Sequence, residues 1–128
     1  MPWTYSQTGR RLLDPSGKPA GMGYSGHDEG YNNHEAQEER DVGPTPAGTY
    51  AIGPSFRHPV AGPVTMRLTP SAGTNVFGRD GFMIHGDSAD HAANPTPQNS
   101  ISHGCIILAR PLREAIDASH DRTIAVTV

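Results

Sequence analysis

A single cysteine, Cys105, stands in the run Ser102-His103-Gly104-Cys105-Ile106, and twenty residues earlier His85 closes the apolar run Phe82-Met83-Ile84. A thiol is a strong nucleophile only as thiolate. A cysteine that does chemistry therefore needs a base for its proton and amide donors for the oxyanion its attack creates. His85 is the right type for the first role, and the backbone amides around the small Gly104 for the second. Free cysteine is by residue type usually a buried small hydrophobe, but that role does not call for Ser, His and Gly directly before it. The pattern predicts a nucleophile and its general base. Asp87 and His91, close to His85, leave a second use open, a zinc site shared with Cys105. No second cysteine or tight ligand pair supports it.

These residues need elements to carry them. Alternation of apolar and polar residues predicts a hairpin from Trp3–Tyr5 and Arg11–Leu13, and strands at Thr49–Ile52, Val64–Leu68, Gly81–His85, Cys105–Leu108 and Thr123–Val128. Arg110–Ala118 reads as the one helix, with Pro near its start and apolar positions at 112, 115 and 116. Between these lie two long loops, 21–41, Gly-rich then acidic, and 87–101, which joins His85 to the cysteine strand. Loops of such length in a small domain are often functional. The fold class is α+β and mostly β, in a single domain spanning 1–128.

Composition narrows the function. A net charge of −3 with seven histidines counted neutral argues against a nucleic-acid binder. The lone thiol forms no internal disulfide. No apolar stretch approaches the roughly 20 residues of a membrane span, and Met1–Ser6 shows no signal-peptide pattern. The 15 glycines and 12 prolines call for many turns and short strands.

Histidine before cysteine is the reverse of the order in papain-like and cell-wall amidase-like cysteine enzymes. His85, a gap of sixteen residues, and Ser102-His103-Gly104-Cys105-Ile106 instead resemble the motif of YkuD-type L,D-transpeptidases. Pro44-Thr45-Pro46-Ala47-Gly48-Thr49-Tyr50 resembles the turn that leads into a strand in that family. Gly23-Tyr24-Ser25-Gly26-His27, Asn32-Asn33 and the Val42–Pro46 run make the chain most similar to the Tlde1-like type VI secretion L,D-transpeptidase effectors.

The resemblance implies a YkuD-like sandwich or barrel-like sheet and a peptidoglycan-modifying enzyme, an L,D-carboxypeptidase or L,D-transpeptidase without a cofactor or metal. Cys105 would attack the carbonyl of meso-diaminopimelate that precedes D-alanine in a tetrapeptide stem. His85 would be the base, and Ser102 or a backbone carbonyl would orient its ring. The amides of Gly104 and Cys105, with His103, would hold the oxyanion. Water, a D-amino acid or a second stem would accept the acyl group. Relatives often carry Arg or Asn just after the cysteine, where this chain has Ile106 and Ile107. The stem carboxylate is therefore expected at Tyr24, Ser25, Gly26, His27, Arg79 or Arg67, with Asp87 also facing substrate. The same resemblance implies synthesis in the cytoplasm, delivery by type VI secretion to the periplasm of target bacteria, and a cognate immunity protein. The competing expectation is a non-enzymatic cell-wall-binding or zinc-binding module on the same fold.

Overall fold

The structure, a computed structural model, describes residues 2–87, 95–98 and 100–128. Its strands are β1 (Trp3–Ser6), β2 (Arg11–Leu13), β3 (Pro19–Ser25), β4 (Gly48–Ile52), β5 (Phe56–His58), β6 (Gly62–Pro70), β7 (Met83–His85), β8 (Ile106–Leu108) and β9 (Thr123–Thr127). Among the described residues one helix, α1 (Arg110–Ala118), joins β8 to β9, and two single 3-10 turns lie at Asp28–Gly30 and His34–Ala36.

The strands run in the order β4-β9-β1-β2-β3-β8-β7-β6, and β6 pairs back to β4, so the sheet closes into a barrel-like ring. Closure removes the unpaired edges that an open sheet exposes. Strand β6 is long enough to serve three neighbours, pairing β4 through Leu68–Pro70, β7 through Met66 and Arg67, and β5 near its start. Most neighbours are antiparallel, but β1–β9 and β7–β8 are parallel. A parallel pair cannot be joined by a tight turn, which accounts for the long connection between His85 and Cys105.

Alternate residues fill the ring. Trp3, Tyr5, Leu12, Tyr50, Ile52, Met66, Leu68, Ile84, Ile106, Leu108, Ile124 and Val126 form one buried cluster with Phe82 and with Ile116 of α1. Period-2 alternation sends their neighbours outward. Trp3 Nε1 donates to Ser119 Oγ at 3.0 Å, tying the end of α1 to β1.

The helix begins and ends where proline, periodicity and the final strand place it. Its inward face differs from expectation: Ala115 is exposed, whereas Arg113 is buried beside Ile116. Strand β3 is a second departure, because Pro19–Ser25 carries little β propensity and its residues from Gly21 onward read as loop. Its glycines are there for close approach: a Cβ on Gly23 would collide with the Ile107 carbonyl, and one on Gly21 with the Leu112 side chain. Strand β5 also went unread, its three residues lying between prolines. Much of the expected loop, 88–94 and Asn99, lies outside the described residues. Among the described residues no helix is long and apolar enough to cross a membrane.

Ile116→Ala should destabilise the protein by about 2–5 kcal/mol, the usual cost of emptying a core site. Ala115→Ser should stay within about 0.5 kcal/mol. Urea denaturation of the two variants checks which residue faces the ring.

Candidate active site

The parallel register pairs Ile84 with Ile106 and His85 with Ile107. Ile84 and Ile106 point into the ring core. Alternation then sends Met83, His85, Cys105 and Ile107 to the opposite face of the same two strands. There Cys105 and Ile107 pack with Tyr24, Tyr31 and Met83 in a second, smaller apolar cluster. Cys105 and His85 thus come to one surface from segments twenty residues apart, and both line a cleft of about 720 Å³. Met83, Ile101, Val60, Ala61 and Pro63 make much of the wall apolar, and His58, Asp87, His103 and Arg113 add polar groups.

Three hydroxyls without solvent exposure hold the turn that carries the thiol. Ser102 Oγ donates to the Cys105 carbonyl at 2.6 Å and accepts from the amides of Gly26 at 2.8 Å and Gly104 at 3.3 Å. Ser25 Oγ donates to the same Cys105 carbonyl at 2.9 Å and accepts the Thr45 amide at 2.9 Å. Thr45 Oγ1 donates to the Gly104 carbonyl. In a planar trans peptide the C=O and N–H point in opposite directions. With the Gly104 carbonyl held inward, the Cys105 N–H faces the other way. Gly104 adopts φ +130°, and a Cβ there would sit 2.6 Å from Arg79 Nη2, so only glycine fits this corner.

His85 is 7% exposed, and its Nδ1 lies 2.8 Å from the Gly86 carbonyl. A carbonyl only accepts, so Nδ1 carries the proton and Nε2 keeps the lone pair of a neutral ring. Burial pushes the imidazole below its ordinary 6.5; the Gly86 bond opposes this, while Arg113 and His58 add to it. Burial pushes the Cys105 thiol up to about 11, although the Met83 backbone and the Arg79 guanidinium pull it down. The resting pair is therefore a protonated thiol and a neutral imidazole. In this state Cys105 Sγ lies 3.8 Å from the Gly81 carbonyl.

Residues 20–127 match the Tlde1 domain. The chain belongs to the Tlde1 domain family. No curated protein matches it in sequence. Among solved structures, it is similar to the Ldtfm-avibactam carbamoyl enzyme with a TM-score of 0.57 and 14% identity, over 99% of this chain and 48% of that one. It is also similar to the helical cell shape determining protein Pgp2 from Campylobacter jejuni, with a TM-score of 0.56 and 20% identity, over 98% of this chain and 46% of that one. The chain thus spans about half the length of each, and what they share with it is the L,D-transpeptidase fold.

Within this Tlde1 domain the other expected site residues separate into distinct places. Ser102 does not orient His85, because its donor and both acceptor positions are already used around Cys105. The backbone carbonyl of Gly86 has that part. Ser25 and Gly26 belong to the buried knot rather than the cleft wall. The Gly104 amide is turned to Ser102 and leaves the Cys105 amide as the better-aimed donor. Tyr24 reaches the cleft indirectly, donating its hydroxyl to the Asp87 carboxylate. His103 lies on the rim, its ring 4.7 Å from that of His27, and both face the Asp41 carbonyl.

Neither expected arginine is placed for substrate. Arg79 is buried, with its guanidinium donating to the carbonyls of Gln37, Gly43 and Pro44 and lying over Phe82. Arg67 projects from the outer face over Phe56. The zinc alternative includes His91, outside the described residues; among the described ones no three potential ligands converge. Sequence reasoning missed Thr45, whose place in a Pro-rich turn hid a buried hydroxyl, and Arg113. The 113/116 spacing on α1 was the available signal for the second.

Two outcomes follow. Alkylation of Cys105 by iodoacetamide in the free protein should be slow near neutrality and climb with pH to a midpoint at about 11; a rate already at plateau near neutrality would contradict the buried thiol. Ser102→Ala should lower stability by about 1–3 kcal/mol, since it strands two buried amides, as a thermal melt would register.

Proposed function

We propose that this chain is a cysteine-dependent L,D-carboxypeptidase or L,D-transpeptidase that cleaves the bond between meso-diaminopimelate and D-alanine in peptidoglycan tetrapeptide stems. One observation carries the reading: a neutral imidazole with its Nε2 lone pair and a lone thiol share one face of β7–β8 at a common cleft, in a Tlde1 domain. The likeness to Ldtfm supports it, as a fold relative observed as a carbamoyl enzyme.

In the proposed reaction His85 Nε2 takes the proton of Cys105 as sulfur attacks the diaminopimelate carbonyl. The Cys105 N–H, aimed outward by the Thr45 bond, donates to the oxyanion. Collapse breaks the C–N bond. The imidazolium returns its proton to the leaving amine, D-alanine departs and a thioester remains. Water, deprotonated by the same Nε2, then attacks the thioester, and the thiol leaves with that proton. An amine acceptor, from a D-amino acid or a second stem, gives exchange or cross-linking instead. The neutral resting pair suits this order, because the proton moves during attack rather than before it. The same reading extends to an antibacterial effector delivered by type VI secretion into the periplasm of target cells and held in check by an immunity protein.

Release of D-alanine from purified tetrapeptide muropeptides, followed by mass spectrometry, tests the reaction. Cys105→Ala and His85→Ala should each lose activity by at least about 100-fold; full activity in Cys105→Ala would sink the proposal and favour a binding module. Since His85 must be neutral to act as base and its pKa lies below 6.5, kcat/KM should hold through neutrality. It should fall only as pH drops through that lowered value.

A further inference from the structure

Arg113 is 7% exposed, yet no described carboxylate lies in an ion pair with it. Its Nε donates to the Leu108 carbonyl at 3.0 Å, and Nη1 to those of Pro63 at 2.6 Å and Val64 at 3.3 Å. These bonds fix the guanidinium plane from one side. The remaining nitrogen, Nη2, donates to no described residue and lies over Gly86, where a Cβ would collide with it. Both Arg113 and Gly86 line the cleft beside His85. A buried cation with no counter-charge among the described residues is costly, and a fixed fork of N–H donors matches a carboxylate.

A second donor stands on the same cleft. His58 Nδ1 accepts the amides of Val60 and Ala61, both at 3.0 Å. The ring proton of neutral His58 therefore sits on Nε2. His58 lines the cleft, and both it and Arg113 act electrostatically on His85.

Resting on the proposed peptidase reading, we infer that Arg113 Nη2 and His58 Nε2 form a carboxylate subsite beside His85 that selects the peptide substrate. It replaces the polar residue that Ile106 and Ile107 do not provide. The chemistry is that of a peptide carboxylate, with two sources in a tetrapeptide stem: the C-terminal D-alanine and the side chain of diaminopimelate.

The test measures binding in the full chain carrying Cys105→Ala, by calorimetry, with three forms of L-Ala-γ-D-Glu-meso-diaminopimelate-D-Ala. One is the free acid, one the C-terminal amide and one amidated at the diaminopimelate side chain. One amide should bind about tenfold or more weakly than the acid, the weight of a charge-assisted bond, and which one it is names the carboxylate. Adding Arg113→Gln should erase that preference. Because this substitution removes bonds that hold α1, its fold is checked by thermal melt, and His58→Ala, on the rim, should reduce the preference independently. Equal binding of all three peptides, no binding of any, or a preference untouched by both substitutions would overturn the subsite. Failure of the peptidase reading looks different: Cys105-intact protein then releases no D-alanine while the Cys105→Ala chain still discriminates among the peptides.

Discussion

The bond between Thr45 Oγ1 and the Gly104 carbonyl sets the orientation on which the rest of the site depends. Together with Ser25 and Ser102 on the Cys105 carbonyl, it turns two successive peptide oxygens into the protein. Three buried hydroxyls from three distant segments thus define where the Cys105 amide and thiol face. Hydroxyls suit this task because each both donates and accepts, so one side chain can satisfy a carbonyl and an amide together. Ser102 does so within the turn, while Ser25 and Thr45 bring β3 and the Pro-rich turn onto it. The knot is fully buried, where an unmet polar group is expensive. Its completeness is what lets the corner around Gly104 hold one shape.

The parallel pairing of β7 and β8 supplies the second constraint. An antiparallel neighbour could have been joined to β7 by a hairpin, placing a tight turn where the cleft opens. The parallel arrangement forces a long connection, and its register sets His85 beside Ile107 and Cys105 just before Ile106, both on the face that lines the cleft. Ring closure through β4 and β6 then keeps both strands inside a continuous hydrogen-bonded sheet. The thiol and the imidazole are mounted on rigid elements, and only their local electrostatics remains to be set by burial.

Much of this was legible from residue order. The strands around Trp3, Leu12, Tyr50, Met66, Ile84 and Ile124 alternate cleanly, and Pro111 with the following apolar positions marked α1 at its observed bounds. That His85 and Cys105 would come to one cleft followed from motif and order. What escaped was tertiary in origin. Strand β3 is built from glycines that allow close packing, which propensity scores against. Arg79 is buried because backbone carbonyls surround it, and nothing in its sequence neighbours announces that. Ser102 looked like a partner for the imidazole because its type allowed it; three bonds around Cys105 leave it no free position.

The buried, protonated state of Cys105 has a consequence for the durability of the protein. Peroxide and disulfide exchange both attack through the thiolate, and a thiol pushed up to about 11 supplies little of it near neutrality. A second cysteine that could trap it internally is absent from the chain. A lone sulfur in this state oxidises slowly near neutrality.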